Sequence, residues 1–161
     1  MKEKVFCDIS LCLGCKSCEL ACAVEHSESR SLFEAVFEEL APRTRKKVQA
    51  VSSAGERAIA VSCGHCETAQ CVIACMAGAM FKDEDGKTVH NPEKCVGCGM
   101  CIMVCPLGVI TRQKNLILKC DMCPDLDKRY ACVDACQTGA LFAGTAEEFE
   151  KRLKKRREKV K

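Results

Sequence analysis

Aromatic residues are scarce in this chain: of its 161 residues none is Trp, one is Tyr and six are Phe. So few large rings leave a thin organic core, suited to one domain or two small ones. No apolar run approaches the ~18 residues needed to span a bilayer. Residues 1–25 also lack the basic start, apolar stretch and small-residue cleavage site of a secretory leader, so the expected compartment is the cytoplasm. The P-loop, the HExxH helix, the GxSxG elbow and the Gly-rich dinucleotide fingerprint are missing too, which removes the commoner hydrolytic and nucleotide-dependent chemistries. No nucleic-acid partner is expected, because no aromatic side chains interleave with the basic ones.

Against that thin core stand 17 cysteines, above the level that would suggest a disulfide scaffold in a secreted chain. In a reducing compartment such a density means metal or redox chemistry rather than disulfides. Sixteen fall into four groups, each closing with Cys-x3-Cys: Cys12, Cys15, Cys18, Cys22; Cys63, Cys66, Cys71, Cys75; Cys95, Cys98, Cys101, Cys105; and Cys120, Cys123, Cys132, Cys136. The first and third keep the run C-x2-C-x2-C-x3-C of bacterial ferredoxins, and the third ends in Cys105-Pro106, as that run usually does. The second and fourth are stretched variants. Two C-x2-C pairs also suit a four-thiolate zinc site, but zinc does not require a third cysteine two residues on and a fourth three beyond it. The pattern predicts four [4Fe-4S] clusters with these sixteen cysteines as iron ligands. Sixteen thiolates saturate four clusters and leave no iron open to substrate, so the chain is expected to carry electrons and not to be an enzyme. The formal charge of +3 then falls to about −5, because four cores of +2 offset only half of the sixteen thiolates.

Three of the closing cysteines are followed, three residues on, by glycine and a small apolar unit: Gly78-Ala79-Met80, Gly108-Val109-Ile110 and Gly139-Ala140-Leu141. This internal repeat predicts a short helix stopped by glycine and followed by a strand. The second and third motifs are bridged by Met80-Phe81-Lys82, the turn Asp83-Glu84-Asp85-Gly86 and Lys87-Thr88-Val89, a hairpin pattern. Residues 57–112 are therefore expected to form a complete two-cluster unit, and the first and fourth motifs, within 1–24 and 113–144, to pair into a second. The expected fold class is α+β: tandem, nested bacterial ferredoxin-like lobes, each binding two [4Fe-4S] clusters, with an inserted helix and hairpin.

The insertion, 25–56, departs from the repeat. Ser31-Leu32-Phe33-Glu34 has the form of a capping box, and Phe33, Val36, Phe37 and Leu40 follow at helical spacing until Pro42. That predicts an amphipathic helix over 32–41 packed on a lobe. Its other reading is partner docking, together with the basic run Arg43, Arg45, Lys46 and Lys47. Residues 47–51 and 57–62 alternate around Ser52-Ser53-Ala54-Gly55, a second hairpin. Residues 145–161 read as a solvated basic helix capped by Thr145. Cys7, the odd thiol, is read as buried and inert, against an intermolecular ligand or a redox switch. His65, between Cys63 and Cys66, is read as a solvent-edge loop residue, with hydrogen bonding to sulfur as the alternative.

Four such motifs in this order resemble the iron-sulfur electron-transfer subunits of the dimethyl sulfoxide reductase superfamily, including those of formate dehydrogenases and formate hydrogenlyase, over most of residues 1–144. In size and layout the chain looks most like the ferredoxin-like subunit (CooF type) that serves nickel carbon monoxide dehydrogenase. The resemblance implies crossed ligation. Cys12, Cys15 and Cys18 would share a cluster with Cys136; Cys120, Cys123 and Cys132 with Cys22; Cys63, Cys66 and Cys71 with Cys105; Cys95, Cys98 and Cys101 with Cys75. It also implies single electrons passing between a catalytic oxidoreductase, with carbon monoxide dehydrogenase the first candidate, and an acceptor such as a hydrogenase. A formate dehydrogenase or an aldehyde oxidoreductase is the alternative partner, and a redox sensor or zinc-binding scaffold the alternative of another class. Membrane association would come only through partners. One departure is Ala69, where the family often has proline two residues before Cys71. Alanine reaches the same dihedral, so a softer loop with every ligand kept is expected.

Overall fold

The computed structural model describes residues 3–51, 57–127 and 129–159. In chain order its elements are β1 (Lys4–Cys7), α1 (Ser17–Glu25), β2 (Lys47–Ala50), β3 (Ala58–Val61), α2 (Gln70–Ile73), β4 (Met80–Lys82), β5 (Thr88–His90), α3 (Met100–Met103), β6 (Thr111–Gln113), β7 (Leu116–Leu118), α4 (Ala131–Asp134), β8 (Leu141–Gly144) and α5 (Ala146–Lys159). The strands make two-stranded antiparallel sheets that pair β1 with β8, β2 with β3, β4 with β5 and β6 with β7. Short helices and small sheets are mixed along the chain, consistent with a ferredoxin-like α+β domain.

Distant parts of the chain meet. β1 pairs with β8 in the register Lys4↔Gly144 to Cys7↔Leu141, and α1 packs on α4, so the first cysteine motif lies beside the fourth. In the middle, α2 packs on α3 and on β4. The glycine repeat has the expected role. Gly78, Gly108 and Gly139 have φ of 62°, 59° and 61°. Their N–H groups donate to the carbonyls of Cys75, Cys105 and Cys136 at 3.1, 3.1 and 3.0 Å, which closes each short helix as a left-handed C-cap does. No glycine follows the first motif, and there α1 runs for nine residues against four in α2, α3 and α4.

The bridge between the second and third motifs is the expected hairpin, β4 on β5, with Asp83 Oδ1 accepting from the Lys87 N–H at 2.6 Å in its turn. The second expected hairpin is β2 on β3, although its turn, 52–56, lies outside the described residues. A third, β6 on β7, turns at Lys114-Asn115 with Lys114 at φ 51° and was not expected from the sequence.

The core is as thin as the composition predicts and is built around sulfur. One cluster joins Cys18, Ala60, Cys132 and Leu141, with Val5 and Val48 packed against it. The other joins Met80, Cys101, Ile110 and Ile117, with Val72 and Ile102 alongside. Buried apolar area, the usual source of stability, is thus made by strand and loop residues packing against the cysteines of the short helices.

Three expectations outside the motifs need correction. No helix forms over 32–41; only a single 3-10 turn occurs, at Ala35–Phe37. Among the described residues the apolar stripe has little to pack on, with Phe33 80%, Val36 74% and Phe37 87% exposed, and packing supplies most of a short helix's stability. Glu38 is also drawn away, accepting from the Ser29 N–H and hydroxyl at 2.9 and 2.7 Å. Second, the basic run read with that helix as a docking surface is only partly free for it: Lys46 is 4% exposed and Arg45 pairs with Asp121. Third, α5 is not merely solvated. Thr145 and Glu148 form a reciprocal capping box, Phe149 stacks on Phe6 and Phe142 at 4.8 and 6.1 Å, and Arg156 pairs with the buried Asp8. The helix is fastened to the β1–β8 sheet.

Candidate metal centre

Each motif opens with the same backbone device. The residue before its second cysteine lies in the left-handed region: Gly14 at φ 68°, His65 at 43°, Gly97 at 67° and Met122 at 67°. A loop curled this way turns successive thiols toward one centre. At Gly97 the space is closed as well, since a Cβ there would lie 2.8 Å from the Asn115 carbonyl oxygen.

The thiols then gather in sets drawn from two motifs. Cys12, Cys15, Cys18 and Cys136 line one cavity. Cys63, Cys66, Cys71 and Cys105 line a second, and Cys75, Cys95, Cys98 and Cys101 a third. The remaining four are also neighbours: burial pushes Cys120 and Cys123 up to about 12, and the charges of Cys132 and Cys22 add to the rise at both. Groups held so firmly as neutral thiols must lose protons when a metal binds.

Sulfur spacing decides which metal group fits. Among the described residues, His26, Asp121 and Cys123 are the one group of three or more His, Cys, Asp or Glu whose ligand atoms all lie within 4.8 Å of one another. No three of the sixteen sulfurs are that close. A tetrahedral zinc with Zn–S near ~2.3 Å would hold four sulfurs roughly 3.8 Å apart, whereas a cubane spreads its thiolates over four separate irons. All seventeen cysteines are free of disulfides. Sulfurs spaced this widely in sets of four fit [4Fe-4S] groups better than a four-thiolate zinc site.

The four sets differ in exposure. Cys15, Cys66 and Cys98, the second cysteines of the first three motifs, are exposed, while Cys123, the same position in the fourth, is buried with Cys22 and Cys132. Three of the thiol sets thus reach the surface through their second cysteine, and the fourth is the most buried. Around the interior set lies a polar network that the sequence does not announce. The Arg45 N–H donates to Cys22 Sγ at 3.3 Å. His26 Nδ1 lies 2.7 Å from the Cys22 carbonyl oxygen and 3.8 Å from its Sγ, and Nε2 lies 3.1 Å from Asp121 Oδ1. Asp121 also holds the Arg45 guanidinium. Burial opposes charge on both partners, yet the His26–Asp121 hydrogen bond and the contacts to Cys22 raise His26 to about 10 and hold Asp121 well below the usual carboxylate range. His26 was legible only as the residue four after Cys22 on a helix, where the two share a face.

His65 is not a solvent-edge residue. It is 2% exposed, and its Nδ1 accepts from the Thr88 N–H at 3.2 Å. Its left-handed backbone turns the ring inward, and burial with the charges of Lys119 and Lys82 pushes it down to about 3, so it stays neutral. Cys7 is half-buried, its sulfur accepts from the Ala60 N–H at 3.4 Å, and burial lifts its thiol to about 11. A thiol raised in this way stays protonated near neutral pH. Ala69 has φ −82°, close to the proline value.

The sequence matches the 4Fe-4S dicluster domain family over residues 57–146. It is 35% identical to a subunit of the anaerobic dimethyl sulfoxide reductase of Escherichia coli (strain K12), over 91% of this chain and 75% of that subunit. It is 33% identical to the thiosulfate reductase electron transfer subunit PhsB of Salmonella typhi, over 89% of this chain and 76% of the other. The putative electron transport protein YsaA of E. coli K12 is 33% identical, over 94% and 95%. Taken with the clustered cysteines, these matches mean that the chain belongs to the family of 4Fe-4S dicluster iron-sulfur proteins.

Proposed function

We propose that this protein is a non-catalytic electron-transfer subunit that holds four [4Fe-4S] clusters and passes single electrons between a larger oxidoreductase and an acceptor. The observation that carries the reading is the lining of three separate cavities, each by three successive cysteines of one motif and the closing cysteine of another. The ligand sets are the crossed ones: Cys12, Cys15, Cys18, Cys136; Cys22, Cys120, Cys123, Cys132; Cys63, Cys66, Cys71, Cys105; and Cys75, Cys95, Cys98, Cys101. Two lobes follow, an outer one from 1–24 and 113–144 and an inner one from 57–112. When bound, such groups supply reversible one-electron storage over a very wide range of potentials. The chain's own residues hold them, surround them with N–H donors and charge, and bring three of them to the surface.

The relatives' names support a larger reductase as partner, since two are subunits of dimethyl sulfoxide and thiosulfate reductases. Carbon monoxide dehydrogenase as donor and hydrogenase as acceptor rest on the resemblance in size and layout. No helix among the described residues is long and apolar enough to cross a membrane. The exposed Phe33, Val36 and Phe37 are the docking surface for the catalytic partner, a role their place in the insertion supports.

The test is anaerobic mixing of the holoprotein with each candidate enzyme and its substrate, followed by visible absorption. Bleaching with carbon monoxide and its dehydrogenase supports that pairing. Bleaching only with formate and formate dehydrogenase moves the assignment to the alternative. A protein that dithionite itself does not bleach is a scaffold or sensor.

A further inference from the structure

The Lys46 side chain is placed at a cost that nothing described above offsets. It is 4% exposed, and its Nζ has no hydrogen-bond partner. A buried ammonium without a partner carries a large desolvation penalty, so the native protein must offset it with something outside the backbone and side-chain oxygens.

Its neighbours identify that something. Arg45, one residue before, donates its N–H to Cys22 Sγ. Val48, two residues after, lines the cavity of Cys12, Cys15, Cys18 and Cys136. β2, which Lys46 precedes, pairs with β3, whose Ala60 sits in the core cluster beside Cys18 and Cys132. The segment 45–48 therefore bridges two thiol sets, with Lys46 buried between them. Sulfur is what it faces. Burial raises both the Cys18 and the Cys132 thiols, and at each the Lys46 charge is the largest opposing influence.

We propose that Lys46 is a positioning residue for reduction, a fixed buried cation between the set containing Cys18 and the set containing Cys132 that favours the added electron there and raises the reduction potential of those centres. This rests on the four-cluster reading above. Each one-electron reduction makes a site of four thiolates and its core one unit more negative, with the electron supplied by the donor and no proton taken up. A cation a few ångströms away in a low-dielectric interior stabilises the more negative state. The inner motifs have a buried cation of their own, Lys119, 3% exposed and the largest influence opposing the rise of the Cys71 thiol, but its Nζ donates to the Thr88 and Cys120 carbonyls, whereas Lys46 has no such oxygen partner.

The experiment is a dithionite titration of anaerobic holoprotein followed by electron paramagnetic resonance, with iron and acid-labile sulfide counted in each sample, for wild type, K46Q and K46R. K46Q is expected to disfavour one or two of the reduction steps at least tenfold, a drop of about 59 mV for a one-electron couple, while the others stay and K46R stays near wild type. Steps that all keep their potentials, or all move together, overturn the proposal. If wild type itself lacks iron, the four-cluster reading has failed instead, and the metal count separates the two outcomes. Should K46Q not load its clusters, wild type and K46R are labelled with 15N-lysine. A 15N hyperfine coupling to a reduced centre that is present in wild type and absent in K46R supports the placement. Identical couplings in the two overturn it.

Discussion

Seventeen cysteines share this chain, and their surroundings sort them into two kinds. Cys7 neighbours Cys12 but belongs to none of the four sets, and its thiol is lifted to about 11, so Cys7→Ala is expected to leave iron and sulfide per chain unchanged; Cys22→Ala, which removes one corner of the most buried set, should lower both. Metal analysis of the two variants side by side checks this. Gly97→Ala forces a side chain into the left-handed region, a cost of about 1–2 kcal/mol, and against the Asn115 carbonyl. Faster loss of visible absorbance on warming is the expected result. At this scale spacing grouped sixteen cysteines by motif, and the fold brings thiols of paired motifs to shared cavities. What spacing could not reveal were the left-handed His65 and Met122, because neither residue type announces a positive φ as glycine does. It also hid Lys46, which in the sequence is one member of a basic run and in the fold is buried beneath it.

Among the elements, capping and turn chemistry are legible where the signal is local. The Thr145–Glu148 box starts α5, and Thr145→Ala should cost about 1 kcal/mol. Phe149→Ala should release the helix from Phe6 and Phe142, seen as earlier loss of helical circular dichroism than the loss of visible absorbance. Periodicity fails over 32–41 for a physical reason. An apolar stripe at helical spacing says that a face wants burial and does not say whether the burying surface is in the same chain. Replacing Phe33 and Phe37 by Ser is expected to leave iron content and thermal retention of the clusters untouched while slowing reduction by the partner enzyme several-fold at limiting concentration. A loss of clusters in that variant would place these rings in the fold after all. The β6–β7 hairpin escapes notice because Lys114-Asn115 is a weak turn signal beside Asn-Gly or Asp-Gly.

As a whole, the molecule depends on pairings between distant segments: β1 with β8, α1 with α4, and cysteine sets that each draw on two motifs. With few aromatics and a core in which Cys18, Cys101 and Cys132 are themselves members, little else holds those segments together. Metal binding is then folding free energy, and chelation of iron under anaerobic conditions should abolish most of the circular dichroism signal. The meeting of the first motif with the fourth, seen in β1 on β8 and α1 on α4, was expected from the order of the motifs, because the second and third are joined by a short hairpin and leave the outer two to each other. The β1–β8 register was not, since antiparallel partners about 135 residues apart leave no local trace in either strand. The most direct test of the central claim is iron and acid-labile sulfide per chain on anaerobically purified protein, with its visible spectrum before and after dithionite. Close to sixteen of each, with broad absorption that bleaches, is the predicted result; zinc in their place, or a folded colourless protein with almost no iron, would contradict it.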